Sequence, residues 1–319
     1  ERTPRHRSVR NVEVTSVLLE EIKSPKDVRK LDGDQLAELA EEIRTFIVDS
    51  VNASPSGGHL GSNLGAVELT LALHRSFHSP HDLILWDTGH QAYVHKLLTG
   101  RHAEFTTLRE AGGMSGYPSR AESEHDFIEN SHASTVLSYA HGMATALDLG
   151  DGPKRHVVAV IGDGALTGGM AFEGLNNIGN SGRRVITILN DNGRSYAPTA
   201  SRLGDSLVKL RAHPMYRRNT ARIERLVRDL PGGEVLERGW DSATHALREM
   251  FEPPAFFEDL GVSYLGPLDG HDIDALETAL TTAKEMDRPV VVHVLTPKGR
   301  GHAPAANDPA THLHDMASV

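Results

Sequence analysis

Two short clusters carry the atoms of a metal and phosphate site. Gly162-Asp163-Gly164 closes the β-branched run 157–161, and Asn190-Asp191-Asn192 closes the run 185–189. Apolar runs that break into glycine or asparagine read as buried strands ending in loops. If the two strands are parallel neighbours, Asp163 and Asn192 share one carboxyl-terminal rim, where α/β sheets bind ligands. A carboxylate and a carboxamide oxygen suit a hard cation such as Mg²⁺, which takes few protein ligands and completes its shell with phosphate and water. The glycines let backbone N–H groups approach phosphate oxygens, and a helix follows to present its positive end. The reading is a Mg²⁺–diphosphate site. Gly-Asp-Gly alone is as readily a plain turn; the second strand with its Asn-Asp-Asn end argues for the site.

Histidine is the natural proton carrier near neutral pH. His59 and His90 follow glycine turns, and His132 is expected to start a helix. Each alone reads as an ordinary hydrogen-bonding histidine; three on the rims of one sheet would handle protons. Zinc is a rival use, but the spacings match no common ligand pattern and there is no cysteine to support it. Lys298-Gly299-Arg300-Gly301 follows the last expected strand, where the lysine can reach a phosphate oxygen or form a solvated basic turn. Arg109, before Gly112-Gly113, is open in the same way, and 251–259 reads as packing.

The elements that must hold these groups alternate along the chain. Helical character is expected at 25–30, from an Asp32 or Asp34 cap through Val51, and at 66–77, 91–99, 134–149, 167–177 and 272–284. Strands are expected at 83–86, 157–161, 185–189, 262–265 and 289–295. The fold class is α/β: a doubly wound, mainly parallel sheet with helices on both faces. Residues 112–126 are polar and unpatterned, and such stretches are more often functional than idle. Residues 197–250, rich in Arg and Glu, read as a mobile helical insertion over the rim. The expected organisation is a flexible basic arm at 1–15, one domain at 16–306 and a tail at 307–319.

Composition narrows the function classes. The 319 residues are 39% hydrophobic and 24% charged, as in ordinary globular proteins. A net charge of −10 argues against a nucleic-acid-binding surface. No apolar run approaches the ~20 residues needed to cross a bilayer, so no membrane role is expected. Zero cysteines exclude disulfides and thiolate chemistry. With no signal-like opening, the expected location is the cytoplasm; the absence of an initiating Met reads as a trimmed or processed end.

Ser56-Gly-Gly-His-Leu-Gly-Ser-Asn-Leu-Gly65, Trp86-Asp-Thr-Gly-His-Gln-Ala-Tyr-Val-His-Lys96, Glu122-Ser-Glu-His-Asp126, Gly162-Asp-Gly-Ala-Leu-Thr-Gly-Gly-Met-Ala-Phe-Glu173, Gly266-Pro-Leu-Asp-Gly-His-Asp272 and Lys298-Gly-Arg-Gly301 together resemble the 1-deoxy-D-xylulose-5-phosphate synthases. The likeness runs from about residue 16 to residue 314. It is to the form found in high-GC Gram-positive bacteria, and to the N-terminal diphosphate-binding domain alone. It implies a thiamine diphosphate-binding fold related to transketolase, using thiamine diphosphate with Mg²⁺. It also implies roles. Asp163, Asn192 and the Arg194 carbonyl would be metal ligands, and Gly164 and Ala165 would offer N–H groups to the diphosphate. His90, Lys298 and His132 would contact the cofactor. His59, Arg109 and His314 would stand on the catalytic side.

This sequence departs from the family pattern at Gly193, at Ala133 and in the loop Ala53–Ser56. More important, members carry further domains that supply the glutamate activating the cofactor and arginines for the substrate phosphate; no glutamate here takes that place. The expected function is therefore half of a carboligase. It would decarboxylate a 2-oxo acid such as pyruvate and pass the acyl unit to an aldehyde such as glyceraldehyde 3-phosphate, in isoprenoid biosynthesis. The missing glutamate would come from a partner chain carrying the pyrimidine-binding domain, in a dimer or heterotetramer, or from a missing domain. The tail at 308–319 ends without cutting an element, which favours a natural split. The alternative is a non-catalytic cofactor-binding or regulatory scaffold subunit.

Overall fold

The computed structural model describes residues 18–129, 131–193, 252–308 and 311–316. Five strands form one sheet: β1 (Leu83–Trp86), β2 (Val157–Gly162), β3 (Val185–Asp191), β4 (Ser263–Asp269) and β5 (Val290–Leu295). Their order is β1-β2-β3-β5-β4, and every pairing is parallel. Nearly continuous Val, Ile and Leu in β1, β2, β3 and β5 is what a sheet covered on both faces requires.

The side-chain alternation of strands divides the core in two. Leu83, Leu85, Val157, Ala159, Ile161, Val185 and Leu189 face helices α5 (Val136–Leu149) and α7 (Gly169–Ser181) and Phe257 of α8 (Glu252–Asp259). Ile84, Trp86, Val158, Val160, Ile186 and Ile188 face α3 (Val67–Ser76) and α9 (Ile273–Glu285). A third cluster packs α1 (Gly33–Ala53) against α2 (Gly61–Gly65), α3 and α4 (Tyr93–Leu98). The one-turn α6 (Asp163–Leu166) links β2 to α7.

Local chemistry sets the ends. Asp32 and Gln35 form a reciprocal capping box at α1, and the Asp272 side chain accepts the Ala275 N–H at α9. Helix α5 begins at Val136, later than the sequence pattern suggests. The Asp87 carboxylate, just past β1, accepts the N–H groups of Ser134, Thr135 and Val136 at 2.9, 2.9 and 3.1 Å. Ser134, at φ +73°, is thereby held outside the helix. Strand β3 runs on through Asn190 and Asp191 because both keep their pairing with Val294 and Leu295 of β5. Within the stretch expected to pack, Phe257 is fully buried. The arm at 1–15 and the insertion at 197–250 lie outside the described residues. No described helix is long and apolar enough to cross a membrane.

Helix α7 touches the turn after α8 so closely that a methyl on Gly179 would lie 1.8 Å from the Leu260 carbonyl oxygen. Backbone cannot yield as a flexible side chain does. Gly179→Ala is therefore expected to lower unfolding stability by about 2–3 kcal/mol, an overpacking cost. Gly33→Ala, whose methyl meets nothing within 4 Å, should change it little. Urea unfolding of both variants checks this.

Candidate active site at the carboxyl rim

Four neighbouring strands each end on one of the candidate residues. His90 follows β1, Asp163 follows β2, Asn192 follows β3 and Lys298 follows β5. The register pairs Gly162 with Asn190, so Asp163 and Asn192 stand on the same rim of adjacent strands. Asp163 is 2% exposed and opens α6 after an extended Gly162. The Asn-Asp-Asn cluster divides its labour. The Asn190 amide donates to Gln91 Oε1 at 2.7 Å and accepts from the Thr296 hydroxyl. One oxygen of Asp191 accepts the Gly193 N–H at 3.0 Å, and the other bonds His293 Nε2 at 2.8 Å. Both lock the strand end, and Asn192 follows them at the rim. Arg194 lies outside the described residues. Among these, no three His, Asp or Glu side chains form a metal cluster.

The histidines come from distant loops. Imidazoles of His59, His90 and His314 form a triangle with ring centroids 5.4, 5.2 and 5.9 Å apart. Asn63, fully buried, makes this possible: its amide donates to the carbonyls of His59 (2.6 Å) and His90 (2.8 Å), and its oxygen accepts the Tyr93 N–H (3.0 Å). His314 arrives on the tail, which is stitched to the same loop. Gly58 and Met316 exchange backbone hydrogen bonds, and Gly61 donates to the Leu313 carbonyl. A methyl on Gly61 would lie 2.0 Å from the His312 carbonyl oxygen, so only glycine permits this approach. Lys298 Nζ donates to His314 Nδ1 at 2.9 Å, with Ser62 Oγ at 3.3 Å. Arg109, at φ +63°, pairs with Asp315 at 2.9 Å, and Asp315 lies 3.9 Å from His59 Nε2.

Of the residues singled out from sequence, His59, His90, His314, Lys298 and Arg109 are gathered here, and Asp163 with Gly164, Ala165 and Asn192 lines the rim beside them. His132 does not start a helix. It is exposed in the loop before α5, its Nδ1 against the Ala133 carbonyl at 2.7 Å, because Asp87 caps the helix three residues further on. That loop still leans on the rim, since Ser134 Oγ donates to the Ala165 carbonyl at 2.7 Å. Asn63, Asp87, Tyr117 and Asp315 are not singled out by sequence. Asn63 and Asp87 sit inside the family-like motifs, but no spacing reveals what they bridge.

Burial sets the proton affinities. His90 is pushed well below the usual histidine value by desolvation, with His59 and His314 adding repulsion. His59 is lowered by desolvation, which Asp315 partly opposes. His314 falls to about 4 through burial and the Lys298 charge. Burial raises the Tyr93 phenol to about 12, so it stays protonated while accepting the His59 N–H at 3.3 Å. The Nδ1 atoms of His59 and His90 are buried without a hydrogen-bond partner. Among the described residues the site thus brings imidazoles whose uncharged form burial favours together with the side chains of Lys298, Arg109 and Asp315, and with buried Asp163 on the same rim. This set can bind a phosphorylated ligand with a metal and move protons beside it.

The model of the family described as 1-deoxy-D-xylulose-5-phosphate synthase matches residues 19–296. The chain belongs to that family. It is 55% identical over 303 residues to the 1-deoxy-D-xylulose-5-phosphate synthase of Mycobacterium avium, covering 95% of this chain and 47% of that protein. To the synthase of Saccharopolyspora erythraea it is 54% identical over 304 residues, again covering 95% and 47%. The chain thus spans about half the length of the curated relatives it matches. Among solved structures, transketolase from Campylobacter jejuni aligns over 90% of this chain and 41% of its own, with TM-score 0.62 and 17% identity. Transketolase from Leishmania mexicana covers 84% and 38%, with TM-score 0.59 and 16% identity. These last two carry the fold: a thiamine diphosphate-binding type of α/β sheet.

The neutral histidines give the stability a defined pH dependence. The folded His314 titrates near 4 and the unfolded residue near 6.5. His59, His74, His90 and His125 are shifted the same way. Between those values the unfolded chain binds more protons, so stability rises with pH there. It is complete above about pH 6.5 and is lost as pH falls toward 4. Urea midpoints measured from pH 7.5 to 4 should decline through this window, and His314→Gln should decline less steeply.

Proposed function

We propose that this chain is the metal- and diphosphate-gripping half of a thiamine diphosphate- and Mg²⁺-dependent carboligase of the 1-deoxy-D-xylulose-5-phosphate synthase type. The observation that carries the reading is the rim itself: His90, Asp163, Asn192 and Lys298 at the ends of four consecutive parallel strands. Hard oxygens of Asp163 and Asn192, with the Arg194 carbonyl, suit Mg²⁺. The N–H groups of Gly164 and Ala165 open the turn after the metal carboxylate and suit diphosphate oxygens. Lys298 and His90 would approach the same anion, with His132 outermost. The unpartnered Nδ1 atoms of His59 and His90 are the kind of buried polar atom that a bound group satisfies.

When bound, the cofactor would supply the electron sink for decarboxylation of a 2-oxo acid such as pyruvate and acyl transfer to an aldehyde such as glyceraldehyde 3-phosphate. His59, desolvated and neutral, would take or return a proton at the reacting oxygen. Arg109 and His314 would border the substrate side, with Asp315 orienting Arg109. The activating glutamate would come from a partner chain or a further domain. Curated relatives about twice as long support this. A dimer or heterotetramer in the cytoplasm would assemble the full site. Tyr139 on α5 and Met170 and Phe172 on α7 expose apolar side chains where such a contact could begin.

Calorimetry with thiamine diphosphate and Mg²⁺ tests the grip. Wild-type chain should bind, and Asp163→Ala should lose roughly 100-fold or more, since even groups behind the ligands are worth 10–100-fold. Undiminished binding in Asp163→Ala would refute the assignment. Acyloin formed from pyruvate by the isolated chain would refute the need for a second half. Binding that never yields turnover with any partner would mark the chain as a cofactor-holding module.

A further inference from the structure

The polar stretch at 112–126, singled out by its lack of pattern, is a braced arm. Its turn is held at both ends: Ser115 N–H donates to Glu122 Oε1 at 2.7 Å, and Ser119 N–H to Asp126 Oδ2 at 2.7 Å. Buried cations stand behind these carboxylates. Lys96, fully buried, pairs with Glu122. Arg101 bonds both oxygens of Asp126 at 2.7 and 3.0 Å. His95 meets Asp126 at 2.9 Å and is itself bonded to His74 at 2.9 Å. Buried charges persist only when paired and hydrogen-bonded, so this network fixes the turn in one place.

The braced turn delivers three consecutive residues to the site. Gly116 packs on the Arg109 side chain; a methyl there would lie 2.9 Å from Arg109 Cγ. Pro118 packs on Gly89, beside His90, where a methyl would lie 2.4 Å from its Cδ. Between them, the Tyr117 ring stands 5.9 Å from the His59 ring, tilted by 57°. His59 also faces His90, His314, Asp315, Arg109 and the Tyr93 hydroxyl. Only 5% of it reaches solvent, and its Nδ1 has no hydrogen bond. Exclusion of water therefore governs that imidazole.

We propose that Tyr117 is a further positioning residue of the site, a roof over His59 held in place by Glu122 and Asp126 through the Ser115 and Ser119 amides. The consequence for proton handling rests on the function proposed above; the covering of His59 by Tyr117 does not. Tyr117 keeps water from the imidazole and limits its tilt, so that His59 stays an uncharged acceptor beside the ligand.

The test reads His59 directly, in the full chain without cofactor, by NMR titration of the imidazole resonances, with the His59 signal assigned by its loss in His59→Gln. Tyr117→Phe keeps the ring and should leave the midpoint unchanged. Tyr117→Ala should raise it by about one pH unit, as expected when desolvation is relieved, and should speed acylation of His59 by diethyl pyrocarbonate. Glu122→Ala, remote from His59, removes the acceptor of the Ser115 N–H and should shift the midpoint the same way, whereas Glu129→Ala, which removes the exposed acceptor of the Arg120 N–H, should not. If Glu122→Ala fails to fold by circular dichroism, Glu122→Asp keeps the charge while withdrawing the acceptor from Ser115. An unchanged midpoint in Tyr117→Ala would overturn the proposal. A shift in Tyr117→Ala with none in the Glu122 variant would overturn the role of the brace. The titration does not depend on cofactor binding, so failure of the carboligase reading would leave both outcomes interpretable.

Discussion

One buried carboxamide holds the two histidine loops together. Asn63 commits both amide hydrogens to the carbonyls of His59 and His90 and its oxygen to the Tyr93 N–H. These groups come from α2, from the loop before it, from the turn after β1 and from α4. His59, Asn63 and Tyr93 are buried and His90 is half-buried, and each unsatisfied buried group costs about 1–3 kcal/mol. The two imidazoles can therefore approach within 5.4 Å because their backbones share a single clamp. No charge is involved, which leaves the electrostatics of the rim to Asp163, Lys298 and Arg109.

Charge acts structurally one layer further out. The Lys96–Glu122 and Arg101–Asp126 pairs are buried or nearly so, whereas Lys30–Asp27 is a surface pair with its lysine 73% exposed. The magnitudes decide which matters. A surface pair contributes about 0–1 kcal/mol, while removing one partner of a buried pair costs about 3–5 kcal/mol. Burial alone would raise the Asp126 carboxyl, yet the hydrogen bonds from His95 and Arg101 hold it well below the usual range. The Asp126 end of the brace therefore stays ionised well into the acid range.

The strands and their rim were legible because their signals are local. Five β-branched or apolar runs correspond to five strands, and glycine or asparagine at their ends places Asp163 and Asn192. Parallel pairing follows from the alternation with helices. What stayed hidden depends on contacts between distant segments. Asp87 looks like one residue of a turn, but it caps α5 from across the rim and so moves the helix start past His132. Asn63 and Tyr117 carry no periodicity that would point to the loops they bridge. His314 is reached only through the family likeness and Asp315 not at all, since nothing in the tail composition says that it folds back. The positions of Arg194 and of 197–250 lie outside the described residues.

The pairing of Gly58 with Met316 has a kinetic meaning. Ser62 and His314 touch across a sequence separation of 252, so closing the pocket is among the most non-local events in the chain. Contacts of such separation are reached late, after loop-closure entropy has been offset by earlier ones. During synthesis the sheet can assemble around its first strands while the third imidazole is still inside the ribosome. The nascent domain would pass through a stage with its floor built and one wall open.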